Sequence, residues 1–295
     1  MMPQRRSLSR ERARHLRGPL SRRRFAVCAL FAALAARCAI ASEPRDESAT
    51  EQRDIQAVYD TTYADVYDLL WLDQHKYKWE VDEIAAAIRI PSSEVRILDS
   101  GCGTGTHYLD LSKSYQVVGL DISAAMIRVA REKNPSGQFI VGDMKDRSLF
   151  ERASFSHIIS MYEATFYNRE VTTIVANYRY WLRDGGVLML ETIDPEKLAR
   201  SVNSDHPPRY RRQSEHMTKE AWWKLPGTDD VAVYHEELRF RDGREVTKEH
   251  VLYLPKLSTF EHVASEQGFR LSEKKASPFF PQEVLYIFEK RVSTP

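Results

Sequence analysis

The chain has 295 residues, 42% hydrophobic and 29% charged, enough to bury one sizeable core and at most two modest ones. Its formal net charge is +1, yet nine arginines between Arg5 and Arg24 face only one acid, Glu11, so the remainder of the chain is acidic. That balance argues against a nucleic-acid substrate, because binding a phosphate backbone needs a basic face on the folded domain itself.

The basic start continues into an apolar run from Phe25 to Ala41, shorter than a bilayer normally requires and interrupted by Arg37. Ser21-Arg22-Arg23-Arg24-Phe25 is similar to a bacterial twin-arginine export signal, and Ala39-Ile40-Ala41 to the small-x-small site of signal peptidase. An arginine-rich, acid-poor leader also fits an organelle transit peptide or a disordered tail, and membrane contact is expected only through this leader. Cys28 and Cys38 lie in the leader and Cys102 in a glycine loop, so no disulfide framework is visible. Residues 42–54 are polar and charged with little to bury, which makes 1–54 leader and linker and 55–295 the folded domain.

Ile55, Val58, Tyr59, Val66, Tyr67 and Leu70 recur at helical spacing, and a second helical pattern through Tyr77, Trp79, Ile84 and Ile88 stops at Pro91. From Val95 short apolar runs alternate with amphipathic helices. Strands are expected at Val95–Asp99, Gln116–Asp121, Gln138–Val141, Phe155–Met161 and Val187–Ile193, with helices starting near Thr106, Ser123 and Arg169. Near-continuous apolar strands separated by helices imply an α/β fold, a doubly wound and mostly parallel sheet covered on both faces.

Residues 194–229 break this rhythm with Pro207-Pro208, Pro226-Gly227 and Trp222-Trp223, which predicts an irregular insertion beside the site. Val231–Arg241 and Glu245–Leu254 flank Asp242-Gly243, a hairpin signal. A helix over Ser258–Gln267 ends at Gly268, and Phe269–Lys275 and Val284–Lys290 are the last strands.

The strongest local signal is the run Ile97 to Gly105, a strand that enters the glycines Gly101, Gly103 and Gly105 and then a helix. Glycines there let the backbone turn sharply and approach a ligand closely, with a helix N-terminus behind. A dinucleotide fingerprint would need a glycine where Thr106 or Tyr108 stands, which lowers the nicotinamide and flavin alternative.

Asp99-x-Gly101-x-Gly103-x-Gly105 resembles the first motif of class I S-adenosylmethionine-dependent methyltransferases, and Val118–Asp121, Gly142–Met144 and Leu182–Gly186 follow in that family's order. The resemblance implies a seven-stranded Rossmann-like sheet with S-adenosylmethionine as cofactor. It implies that Asp99, Gly101, Gly103 and Gly105 form the loop, that Asp121 accepts from the ribose hydroxyls, and that Asp143 accepts from the adenine amino group. Ile122, Met144 and Met161 would pack around the nucleoside. A narrower resemblance, carried by Ala64–Leu69, Asn134-Pro135 and Gly142–Leu149, is to amino-sugar N,N-dimethyltransferases and related small-molecule enzymes. It implies an N-terminal helical lid over 55–90, an insertion and antiparallel hairpin over 194–256 that shape an acceptor pocket, a small-molecule substrate and a homodimer. Where those enzymes tend to carry His-Leu this chain has Tyr167-Asn168.

Acceptor-side candidates are Tyr67 with its neighbour Tyr63 in the lid, and Glu163 with Tyr167 beyond the fourth strand, each balanced against core packing or a solvated loop acid. Glu163, Glu191 and Asp194 match no metal signature, so methyl transfer to an amine without metal is expected. The alternatives are O- or C-methylation and a non-catalytic binder of the same fold. The chemistry requires a compartment that holds S-adenosylmethionine, such as the cytoplasm, a requirement an exported protein would not meet.

Overall fold

The computed structural model describes residues 55–227 and 230–292, so the leader lies outside the described residues. Two helices come first, α1 (Thr61–Trp71) and α2 (Gln74–Ala87), capped by Asp60 and Asp73, whose carboxylates accept from backbone N–H groups of the first turns. The parallel core follows as β1 (Arg96–Ser100), α3 (Thr106–Leu111), β2 (Gln116–Asp121), α4 (Ala124–Lys133), β3 (Gln138–Val141), β4 (Phe155–Ser160), α5 (Val171–Trp181) and β5 (Leu182–Ile193).

After α6 (Pro195–Val202) come β6 (Arg209–Gln213), β7 (Met217–Lys224), β8 (Val231–Phe240) and β9 (Glu245–Tyr253). The chain then returns through α7 (Leu257–Glu266) to β10 (Phe269–Ala276) and β11 (Glu283–Lys290). The main sheet has seven strands in the order β10-β11-β5-β4-β1-β2-β3, with β1 to β5 parallel and β11 antiparallel to both its neighbours, β5 and β10. The doubly wound, mostly parallel sheet expected from the strand pattern is therefore present. Its strands alternate between two cores. Leu98, Ile158 and Leu188 face Trp181 and Phe260, while Ile97, Ile159 and Met189 face Ile84, Ile127 and Phe139. Each such fully buried aliphatic side chain contributes about 1.5–3 kcal/mol.

Residues 194–227 are not irregular. Asp194 caps α6, and β6 and β7 pair antiparallel and extend the β8-β9 hairpin into a second sheet of order β6-β7-β8-β9. The tryptophan pair that looked like an interruption is strand sequence, with Trp222 opposite His235 and Trp223 opposite Tyr234. A third cluster joins the lid to this sheet through Tyr63, Leu70, Met126, Met217 and Leu238.

Order reverses in the main sheet between β1 and β4, and at such a switch point the carboxyl ends of the strands leave a crevice. The loops after β1, β2, β3 and β4 meet there beneath α1.

Candidate functional site

The loop after β1 carries the site. Gly101 and Gly103 have φ of +80° and +53°, and a Cβ on Gly101 would lie 2.3 Å from the Cβ of Ala164, so only glycine fits. Gly105, at φ +72°, caps α3 in the left-handed region and lines neither of the cavities beside this loop; a Cβ there would crowd Ala130 and Phe139 at 3.1 Å. The lid is latched onto the loop by the Thr104 hydroxyl, which donates to Asp68 at 2.6 Å, and onto the end of α4 by the Lys133 ammonium 2.7 Å from the same carboxylate.

Two small cavities flank the ring of Tyr67. The first, about 70 Å³, is lined by Gly101, Gly103, Asp121, Ile122, Asp143, Met144, Met161 and Tyr167, together with Tyr59, which the sequence did not single out. The second, about 40 Å³, is lined by Asp99, Thr104, His107, Met161 and Tyr162. Tyr67 lines both, so a ligand of nucleoside size spanning them has to displace that ring.

Asp99 Oδ2 is buried without a hydrogen-bond partner, and burial raises its carboxyl to about 6. Burial likewise raises Asp121 to about 6, although its two oxygens accept from the backbone N–H of Gly103 at 2.9 Å and of Ser123 at 2.8 Å. A carboxylate has room for further donors beyond two. Asp143 accepts from the Lys145 N–H at 2.8 Å, so it shapes its turn while lining the first cavity. His107 pairs with Glu80 at 2.8 Å, and Cys102 is a buried thiol whose pKa burial pushes up.

A third and larger cavity, about 620 Å³, opens between the lid, the second sheet and the end of β11. Tyr162 and Tyr167 line both it and the first cavity, and so form their common wall. Glu163 lines it too, from a strained position: Tyr162 and Glu163 both have left-handed backbones, with φ of 50° and 56°. Glu163 Oε1 is buried without a partner, and burial, then the charges of Glu283 and Glu191, push its carboxyl well up. Lys76 lies 2.7, 2.8 and 3.1 Å from Glu80, Glu191 and Glu283, so these acids serve a buried ion cluster on the inner side of the lid. Asp194 is committed to capping α6.

Sequence reasoning missed Lys76, Glu80, Glu283, Glu236 and His250. Glu236 had a signal: it falls in phase with Ala232, Tyr234 and Leu238 on an alternating strand, a charge on the apolar side.

The methyltransferase domain family matches residues 97–186. The chain is 35% identical over 120 residues to the dTDP-3-amino-3,4,6-trideoxy-alpha-D-glucopyranose N,N-dimethyltransferase of Streptomyces venezuelae, a stretch that is 39% of this chain and half of that relative's length. Among solved structures, Streptomyces venezuelae DesVI superposes with a TM-score of 0.66 at 26% identity, over 78% of this chain and 98% of that one. CalS10, an amino pentose methyltransferase from Micromonospora echinaspora solved with S-adenosylmethionine bound, shares the fold with a TM-score of 0.63 at 21% identity, over 78% and 96% of the two chains. By domain, sheet order and loop geometry the chain carries the domain and fold of the class I S-adenosylmethionine-dependent methyltransferases, and it is similar to the amino-sugar N,N-dimethyltransferases.

Proposed function

We propose that the protein transfers the methyl group of S-adenosylmethionine to the nitrogen of a small amine. The observation that carries nitrogen as the acceptor is Glu163, whose unpartnered buried oxygen lies on a residue of the large cavity, next to the wall shared with the first cavity. An amine N–H, like a hydroxyl O–H, supplies the donor that this oxygen lacks, and the aromatic lining favours the amine, which gains charge on alkylation. The aromatic faces of Trp71, Tyr162, Tyr167 and Tyr234, which line the same cavity, favour the positive charge that a nitrogen gains as it is alkylated. Arg209 and Arg211 of β6 also line it, so an acceptor with an anionic group fits. The names of the relatives, amino-sugar N,N-dimethyltransferases, support the same atom.

On the donor side Asp99 would take the amino group of the methionine part, Asp121 the ribose diol and Asp143 the adenine amino group, with Ile122, Met144 and Met161 against the rings. When bound, S-adenosylmethionine supplies a methyl group on a sulfonium, an electrophile that brings its own leaving group. The work left to the chain is to align the two partners and to keep water out, which is where positioning contributes most. Tyr67 covers the donor site, and Glu163 and Tyr167 orient the acceptor.

The test is mass spectrometry of small amines, amino-sugar nucleotides among them, and of their hydroxyl counterparts after incubation with the donor. The amines should gain one or two methyl groups, and Glu163→Gln should lower kcat/KM by about tenfold or more. Methyl gain on hydroxyl acceptors alone would contradict the assignment.

A further inference from the structure

Behind the wall shared by the two cavities, the second sheet buries an imidazole and a carboxylate: His250 is 1% exposed and Glu236 0%. His250 Nδ1 lies 2.8 Å from the Tyr167 hydroxyl, and its Nε2 lies 2.9 Å from Glu236 Oε2. The Tyr59 hydroxyl donates to that of Tyr167 at 2.8 Å. Tyr63 donates to Glu236 and accepts from the Trp71 indole at 2.8 Å, and Lys219 pairs with the second oxygen of Glu236.

The partners determine the direction of this chain. An ionised carboxylate only accepts, so the hydrogen of a neutral His250 sits on Nε2; Nδ1 is then bare and accepts the Tyr167 O–H. The Tyr167 oxygen accepts from Tyr59 and keeps one lone pair for a further donor, and the residue lines both cavities. Burial pushes Glu236 up, but the His250 hydrogen bond, the Lys219 charge and the charge that His250 carries when protonated outweigh it and hold the carboxyl low. Lys219 also lies 3.5 Å from the centre of the Trp71 ring, so the carboxylate and its counter-ion are enclosed together.

We propose that Tyr167, His250 and Glu236 form a proton relay for methyl transfer, in which Tyr167 touches the acceptor nitrogen and His250 and Glu236 act through it. This rests on the methyltransferase assignment above. As the carbon–nitrogen bond forms and the carbon–sulfur bond breaks, the nitrogen sheds one proton to the Tyr167 oxygen. The Tyr167 proton moves to His250 Nδ1, and the resulting imidazolium is held by Glu236. No electrons are exchanged with a third partner, and the proton leaves by the reverse path once the product has gone. His250 and Glu236 are positioning residues in this scheme. The ionisable groups around the imidazole are Tyr59 and Tyr63 from the lid, Tyr167 from the loop after β4, Tyr234 and Glu236 from β8 and, beyond Glu236, Lys219 from β7. The Lys248–Asp60 ion pair lies beside Tyr63.

Two measurements on the full chain test it. Long-range proton–nitrogen NMR of protein labelled at histidine nitrogen, with His250 assigned by the signal lost in His250→Gln, should find the Nε2–H tautomer near neutral pH. The signal should persist in Tyr167→Phe, because Glu236 holds it. An Nδ1–H tautomer overturns the relay whether or not the protein turns over. With an amino-sugar nucleotide or other amine accepted in the assay above, Tyr167→Phe and His250→Gln should each lower kcat by about tenfold or more. KM for the donor should stay within about twofold. An unchanged kcat with turnover intact overturns the relay alone. Absence of turnover on every acceptor overturns the methyl-transfer assignment and the relay with it.

Discussion

Asp99, buried, and Asp121, half-buried, lie on either side of a glycine loop, and desolvation lifts both carboxyls to about 6. A raised pKa means that the unbound protein takes up protons as pH falls through about 6, and a ligand that needs the carboxylates must then displace them. Donor affinity is therefore expected to be constant above that pH and to weaken below it, by up to about tenfold per pH unit for each proton displaced. Calorimetric titration across that range checks the slope, and a flat profile would remove both acids from the donor site. Asp121→Ala takes away a charged acceptor for the ribose diol and should cost about 1.5–3 kcal/mol of donor affinity. An unchanged dissociation constant in a folded variant would contradict it. These two acids were legible because they end apolar strands at motif spacing. The relay residues were not, because a proton path exists only once segments distant in sequence pack together: His250 and Tyr167 are 83 residues apart.

The lid is held at two points by charge rather than by apolar packing alone. Asp68 ties α1 to Thr104 and Lys133, and Lys76 ties α2 to Glu191 on β5 and Glu283 on β11. Burial and neighbouring acids raise Glu283 to about 8, Lys76 pulling the other way, so this cluster is matched to one ammonium. Lys76→Met leaves buried carboxyls without their counter-charge and should cost about 3–5 kcal/mol of stability near neutral pH. The loss should shrink in mildly acidic buffer, where the acids are protonated; urea denaturation at the two conditions reads both. A loss independent of pH would point to packing instead. The amphipathic pattern announced both lid helices, and the alternation of apolar strands and helices announced the main sheet. It failed over residues 194–227, where Pro207-Pro208 and the tryptophan pair looked like a break in the alternation of strands and helices. They belong to β6, β7 and the turns around them: β6 is an edge strand of sequence RYRRQ with little buried, and β7 alternates in burial but puts Lys219 on its buried side, so no apolar period shows.

At the scale of the molecule, two sheets divide the work. The carboxyl edge of the parallel sheet supplies Asp99, Asp121 and Asp143 to the smaller cavities, while the antiparallel sheet supplies one wall of the larger cavity and the His250–Glu236 pair behind it. Tyr162 and Tyr167 are the boundary between them, where the proposed transfer would carry a methyl group across. The most direct test is a crystal structure grown with S-adenosylhomocysteine. The account predicts the ribose on Asp121, the amino group on Asp99, the Tyr67 ring displaced, and the sulfur directed at the wall formed by Tyr162 and Tyr167. A ligand bound elsewhere, or one whose sulfur points away from the larger cavity, would contradict it.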